Sequence, residues 1–198
     1  MRKEITLKMA NILIGVTGGI AAYKVADITG ALLKYNHTVK IIMTENSKKF
    51  ITPLTLSTLS KNPVFDDASE WSSDGIIKHI ELAKWATIFV IVPATANTIT
   101  KITEGVADNL LTSAYLAFNK KTVICPAMNT NMWDKPHFQH SLKILRERHK
   151  HHILDPEVGL LACGDTGMGK LPSTKKIVEF ITDCCDNCYT FDGGENAK

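Results

Sequence analysis

Three times in this chain a run of strand character ends in a turn of small, hydroxyl-bearing or amide-bearing residues and passes into a helix-like segment. The first run is Asn11 to Val16, followed by Thr17-Gly18-Gly19. The second is Thr87 to Val92, followed by Pro93-Ala94-Thr95-Ala96-Asn97-Thr98. The third is Lys121 to Cys125, followed by Pro126-Ala127-Met128-Asn129-Thr130-Asn131-Met132-Trp133. Short apolar, β-branched runs bounded by turn residues read as buried strands. If the strands are parallel, all three turns open at one sheet edge, where open α/β sheets bind ligands. The recurrence predicts an α/β fold around a central parallel sheet, with a ligand crevice at that edge.

Each turn has its own chemistry. A strand, a glycine turn and a helix in that order suit a phosphate, because small residues let backbone N–H groups and a helix start approach the anion. Thr17-Gly18-Gly19 matches neither the Gly-x-Gly-x-x-Gly spacing nor the Gly-Lys-Ser/Thr ending, and its glycines also suit close strand-to-helix packing alone. Thr38 to Met43 is a further strand, ending at Thr44-Glu45. A hydroxyl there suits a phosphate monoester and a carboxylate suits a ribose, so these two residues leave both open. The stretch Pro126 to Trp133 joins two amides to a Met-Met-Trp apolar surface, which suits either a shaped polar pocket or a turn packed into the core.

Between these points the pattern is helical from Ile20 to Tyr35 and from Asn46 to Leu59 with an interruption at Pro53. Val64 to Ile77 reads as a polar, irregular surface excursion around Trp71. His79 opens a short helix or turn, His79 to Ala86, and is either an element-end histidine or a functional one. Helix is expected over Ile99 to Thr103, over Asp108 to Asn119, and over Lys135 to Lys150, the last basic and amphipathic with Phe138, Leu142 and Leu145 on one stripe. His152-Ile153-Leu154 reads as a last short strand. The loop Ala162 to Lys170 carries Cys163 among three glycines, which suits a mobile cover over a ligand or a glycine-rich hairpin with an inert thiol. A helix capped by Ser173 runs to about Cys184.

The length of 198 residues suits one domain, read as residues 11–183 between an N-terminal extension, 1–10, and a polar cysteine-containing tail, 184–198. A net charge of +3 without a basic aromatic-laced stripe argues against a nucleic-acid partner. Met1 to Met9 lacks a signal-peptide core, and the apolar run Ile88 to Ala94 is far short of the ~20 residues that span a bilayer. A cytoplasmic protein without membrane partners is expected. Cys185-Asp186-Asn187-Cys188 has the spacing of half a zinc site, but His137, His140, His149, His151 and His152 offer no paired second half, so no metal is expected.

Thr17-Gly18-Gly19-Ile20-Ala21, His79, Pro93 to Thr98, Pro126 to Trp133 and Ala162-Cys163-Gly164 stand in one order in one chain. Together they resemble the homo-oligomeric flavin-containing cysteine decarboxylases, most closely the phosphopantothenoylcysteine decarboxylases of coenzyme A biosynthesis. The resemblance runs from about Ala10 to about Lys170. It implies a Rossmann-like, three-layer flavoprotein binding FMN, with active sites shared between protomers of a trimer or of a dodecamer of trimers. Thr17, Gly18, Gly19, Ile20, Thr44 and the run Ala94, Thr95, Ala96 and Asn97 would line the flavin. His79 would be the catalytic base, Asn129 would hold the substrate carboxylate with Met132 beside it, and Cys163 would be the proton donor. Gly164 and Lys170 would belong to the substrate-binding loop.

The chemistry implied by the resemblance explains those residue types. Direct loss of CO2 from an N-acylated cysteine leaves a carbanion with no electron sink. Oxidation of the thiol to a thioaldehyde creates the sink, and re-reduction of the resulting enethiolate yields 4'-phosphopantetheine. Gly169-Lys170-Leu171-Pro172-Ser173 departs from the Gly-Arg-Met-Ala-Glu-Pro continuation of the family, and Lys lacks the bidentate fork of Arg. The synthetase domain of bifunctional relatives is expected on a separate protein. The alternatives are a lantibiotic peptidyl-cysteine decarboxylase, a flavin prenyltransferase, and a non-catalytic FMN-binding regulatory protein; Cys163 in its glycine loop favours the reaction that needs re-reduction.

Overall fold

The computed structural model describes residues 9–71, 75–149 and 151–188. Six parallel strands form the central sheet: β1 (Asn11–Val16), β2 (Thr38–Met43), β3 (Val64–Phe65), β4 (Ile88–Ala94), β5 (Thr122–Pro126) and β6 (His152–Ile153). Their spatial order is β3-β2-β1-β4-β5-β6, so the order reverses between β1 and β4. β1 pairs with β2 along its whole length, from Asn11 opposite Thr38 to Val16 opposite Met43. β1 also pairs with β4, from Ile12 opposite Ile88 to Gly15 opposite Ile91. The expected central parallel sheet is present, and its near-continuous Val/Ile runs are those of strands covered on both faces.

Alternating strand residues divide the core into two layers. Ile12, Ile14, Val16, Ile41, Val90 and Val123 face α1 (Lys24–Lys34), α2 (Pro53–Ser60) and α9 (Thr174–Cys188). Leu13, Ile42, Phe89, Ile91 and Ile124 face α4 (Lys78–Trp85), α5 (Ala96–Glu104), α6 (Leu110–Ala117) and α8 (Pro136–Glu147). Each fully buried Val, Leu or Ile is worth about 1.5–3 kcal/mol against exposure, so two apolar faces hold the sheet between its helices. Phe138, Leu142 and Leu145 of α8 are all buried, placing that stripe in the core and its basic face outward. Among the described residues, no helix is long and apolar enough to cross a membrane.

Several expected elements differ in detail. The helix after the first glycine turn begins as a 3-10 turn, Ile20–Tyr23, before α1. Pro53 starts α2 instead of interrupting a helix: it occupies the first turn, where a missing N–H costs nothing, and Thr52 caps that end by accepting the Thr55 N–H at 3.2 Å. The excursion read as irregular contains edge strand β3 and α3 (Asp67–Glu70), a single turn closed by reciprocal Asp66 and Ser69 bonds. β4 runs through Pro93 to Ala94, with a cis Val92–Pro93 bond. The glycine loop is an ordered hairpin of β7 (Glu157–Leu160) and β8 (Thr166–Lys170). α9 continues to Cys188, and Cys184 and Cys185 are buried beside Ile177, Val178 and Ile181, so the start of the expected polar tail is core-packed helix. Residues 1–8 of the expected extension and 189–198 of the tail lie outside the described residues.

Candidate active site

The floor of the site is the switch between β1 and β4, where the loops after the two strands diverge. Thr17 ties them together. Its buried hydroxyl donates to the Pro93 carbonyl at 2.6 Å and accepts the Thr95 N–H at 3.0 Å. On the other side, a Cβ on Gly18 would lie 2.5 Å from Asn46 Cβ, so only glycine lets the first turn pack against the loop after β2. The turn at Ile20 and the helix α5 both start at this crevice, and their first N–H groups have no partner within their own helices. Thr95 caps α5 by accepting the Thr98 N–H.

The wall is built from the end of β5. Ala127 N–H donates to Ala94 O at 3.1 Å, and Met128 N–H donates to Gly169 O at 3.1 Å, which seats the hairpin base on the motif. Gly169 has φ +138°, and a Cβ there would lie 2.0 Å from the Met128 carbonyl oxygen. Asn129 caps α7 (Thr130–Trp133): its Oδ1 accepts the Asn131 N–H at 2.8 Å, which turns its Nδ2 outward. Floor, wall and hairpin enclose a cavity of about 500 Å³.

At the cavity mouth the Asn129 amide meets the hairpin tip. Asn129 Nδ2 lies 3.2 Å from Cys163 Sγ and 3.4 Å from Asp165 Oδ2, and the thiol donates to the same Asp165 oxygen at 3.3 Å. The charged side chains on the cavity wall are Lys24 and Lys170, both cations. Lys24 Nζ donates to the carbonyls of Leu171 and Pro172 at 3.0 and 3.3 Å. Burial, then the Lys170 ammonium, lower the Lys24 pKa from its ordinary 10.5, while Glu157 acts the other way.

Of the residues expected in the site, Gly18, Gly19, Ile20, Thr95, Ala96, Asn129, Met132, Cys163 and Lys170 line this one cavity. Thr17 stands behind the wall as the loop clasp, and Ala94 is buried in β4. Thr44 bonds back to β1, its hydroxyl donating to Val16 O at 3.3 Å. Asn97 lies in the first turn of α5 and Gly164 in the hairpin tip, neither of them on the wall. His79 is not on it either. Its Nδ1 lies 2.5 Å from Glu70 Oε1, and its backbone N–H donates to Glu70 Oε2 at 3.1 Å. Sequence reasoning missed Lys24, Asp165 and Glu70; Asp165, two residues after the cysteine, carried the plainest signal of the three.

The flavoprotein family model matches residues 2–185. A coenzyme A biosynthesis bifunctional protein CoaBC of Borreliella burgdorferi is 41% identical over 175 residues, which are 88% of this chain and 44% of that protein. The chain thus spans less than half the length of that bifunctional relative. A probable phosphopantothenoylcysteine decarboxylase of Streptococcus mutans is 40% identical over 174 residues, 87% of this chain and 97% of that protein. Among solved structures, a cysteine-to-serine mutant of a PPC decarboxylase complexed with pantothenoylaminoethenethiol superposes with a TM-score of 0.83 at 30% identity, covering 90% of this chain and 100% of that one.

Proposed function

Because the chain belongs to the flavoprotein family, we propose that its switch-point cavity holds FMN and decarboxylates 4'-phospho-N-pantothenoylcysteine to 4'-phosphopantetheine. The observation that carries this reading is the convergence on one cavity of a glycine turn and a helix start with Asn129 and Cys163. Similarity to the Streptococcus mutans decarboxylase and to the structure holding pantothenoylaminoethenethiol supports the substrate class.

The residues present fit a flavin. Gly18, Gly19, Thr95 and Ala96 bring small residues and two helix starts, whose dipoles suit a phosphate, to the crevice, while Ile20, Ala127, Met128 and Leu171 offer apolar surface to a flat ring. Bound there, FMN would supply two-electron oxidation of the substrate thiol and return the electrons once CO2 has left.

The chain's own side chains do the rest. Asn129, with its oxygen held by Asn131, presents N–H to the substrate carboxylate; a neutral donor binds that group without the ion pairing that would oppose its loss. Met132 packs beside it, and Lys170 with Lys24 gives the wall a positive potential suited to the substrate phosphate. Cys163 offers its thiol proton at the cavity mouth. The Glu70 carboxylate takes the Nδ1–H of His79 and leaves Nε2 as the basic nitrogen. Since His79 lies off the wall of its own chain's cavity, the base acts on the cavity of a neighbouring copy in a homo-oligomer, trimeric or a dodecamer of trimers. Trp71, 86% exposed next to Glu70, supports a packing surface at that position. A phosphopantothenoylcysteine synthetase is the partner activity that supplies the substrate, in the cytoplasm.

The test is to identify the flavin released on denaturing the purified protein and to measure CO2 evolved from the phosphorylated substrate and from a peptide ending in cysteine. FMN with CO2 from the phosphorylated substrate alone is the expected result. Release from the peptide instead would overturn the assignment of substrate.

A further inference from the structure

On the reading that Asn129 binds the substrate carboxylate, we propose that Asp165 is a positioning residue: its carboxylate occupies that place between turnovers and carries Cys163 with it. The Asn129 amide has one orientation available, because its oxygen is committed to the Asn131 N–H. Both of its N–H groups therefore face the hairpin tip, where they meet Cys163 Sγ and Asp165 Oδ2 at 3.2 and 3.4 Å. The donor assigned to a substrate carboxylate is thus satisfied by a carboxylate of the protein.

The Asp165 side chain is not needed to make the turn. The Asp165 backbone carbonyl accepts the Leu161 N–H at 2.8 Å, and Leu161 O accepts the Gly164 N–H at 3.0 Å. What the side chain adds is a link to the thiol, whose S–H donates to it at 3.3 Å. Asp165 and Cys163 therefore leave and rejoin the fixed Asn129 amide together.

Two carboxylates cannot share one neutral amide without like-charge repulsion. An arriving substrate carboxylate displaces Asp165 and lifts the tip, thiol included. Once CO2 departs the amide is vacant again, Asp165 returns, and Cys163 arrives at the cavity mouth as the decarboxylated product needs its proton. Loss of the carboxylate and delivery of the proton donor are thereby coupled through one aspartate.

The test uses the protein as purified, with whatever flavin it carries, and two probes that lack the reactive thiol. One is 4'-phospho-N-pantothenoylserine, which keeps the carboxylate; the other is its hydroxyethylamide, which lacks it. Calorimetry is run on wild type, Asp165→Asn and Asn129→Ala, and the rate of Cys163 alkylation by iodoacetamide is followed with each probe. The serine probe is expected to bind Asp165→Asn about fivefold tighter than wild type, with the hydroxyethylamide unchanged. In wild type the serine probe changes the alkylation rate and the hydroxyethylamide does not; in Asp165→Asn neither does. Equal or weaker binding of the serine probe to Asp165→Asn, with a loss in Asn129→Ala, overturns the role of Asp165 alone. No loss in Asn129→Ala overturns the carboxylate assignment, and the inference with it.

Discussion

Thr17 and Thr95 are clasped across the reversal of the sheet: one buried hydroxyl donates to Pro93 O and accepts the N–H of Thr95. Thr17→Val keeps the shape and deletes both bonds, leaving a carbonyl and an N–H without their partner. A loss of about 2 kcal/mol is expected, with faster flavin release, and Thr17→Ser should restore most of both. Urea unfolding and flavin dissociation rates check this.

Gly169 sets the seat of the hairpin, since its φ is +138° and a Cβ would lie 2.0 Å from Met128 O. Gly169→Ala should break the Met128 N–H to Gly169 O bond and cost about 3 kcal/mol, combining backbone strain with a clash against a fixed carbonyl. Limited proteolysis should then cut between residues 157 and 170 before any other site. A hairpin equally resistant in the variant would contradict this seating.

His151 gives the fold a pH dependence. Its Nδ1 accepts the Thr122 N–H at 3.2 Å and its Nε2 lies 2.7 Å from the Tyr115 hydroxyl, an arrangement of the neutral ring. Burial, then His149 and His152, push its pKa from 6.5 down to about 4. The unfolded chain therefore takes up the proton first as pH falls. The contribution is complete above 6.5 and is lost progressively down to about 4. Allowing for solvent screening of this partly exposed ring, it amounts to about 2 kcal/mol. Denaturant unfolding of wild type against His151→Gln should show the difference shrinking over that window.

His79 tests the sharing of sites. If His79 is the base we propose, His79→Asn should lower the decarboxylation rate at least about a hundredfold while leaving flavin bound, since the residue lies off the cavity wall. Asn129→Ala should be similarly inactive. Co-expression of the two variants should give mixed oligomers that regain measurable activity, which a site contained in one chain cannot do.

The sheet was legible because β1, β2, β4 and β5 are β-branched runs long enough to show their character, and the three turns at their ends placed the crevice. β7 and β8 were not. Glu157-Val-Gly-Leu160 and Thr166-Gly-Met-Gly-Lys170 have little strand propensity, and they pair because Gly169 docks on Met128, a contact invisible in one dimension. α3 rests on a single capping box, so the excursion read as irregular hid the Glu70 that orients His79. Asn129 and Cys163 were named from the sequence, but their contact spans 34 positions, and the Asp165 between amide and thiol emerged only when the hairpin folded over the motif.

The most direct measurement is the product formed anaerobically from 4'-phospho-N-pantothenoylcysteine by wild type and by Cys163→Ser, identified by mass spectrometry alongside CO2. Wild type should yield phosphopantetheine and CO2 in equal amounts, and Cys163→Ser should release CO2 and the oxidised enethiol only up to about one equivalent per flavin, because without re-reduction of the product the two electrons stay on the flavin. Absence of CO2 from wild type with its flavin bound would contradict the decarboxylase reading; phosphopantetheine formed equally well by Cys163→Ser would remove Cys163 from the proton-donating role.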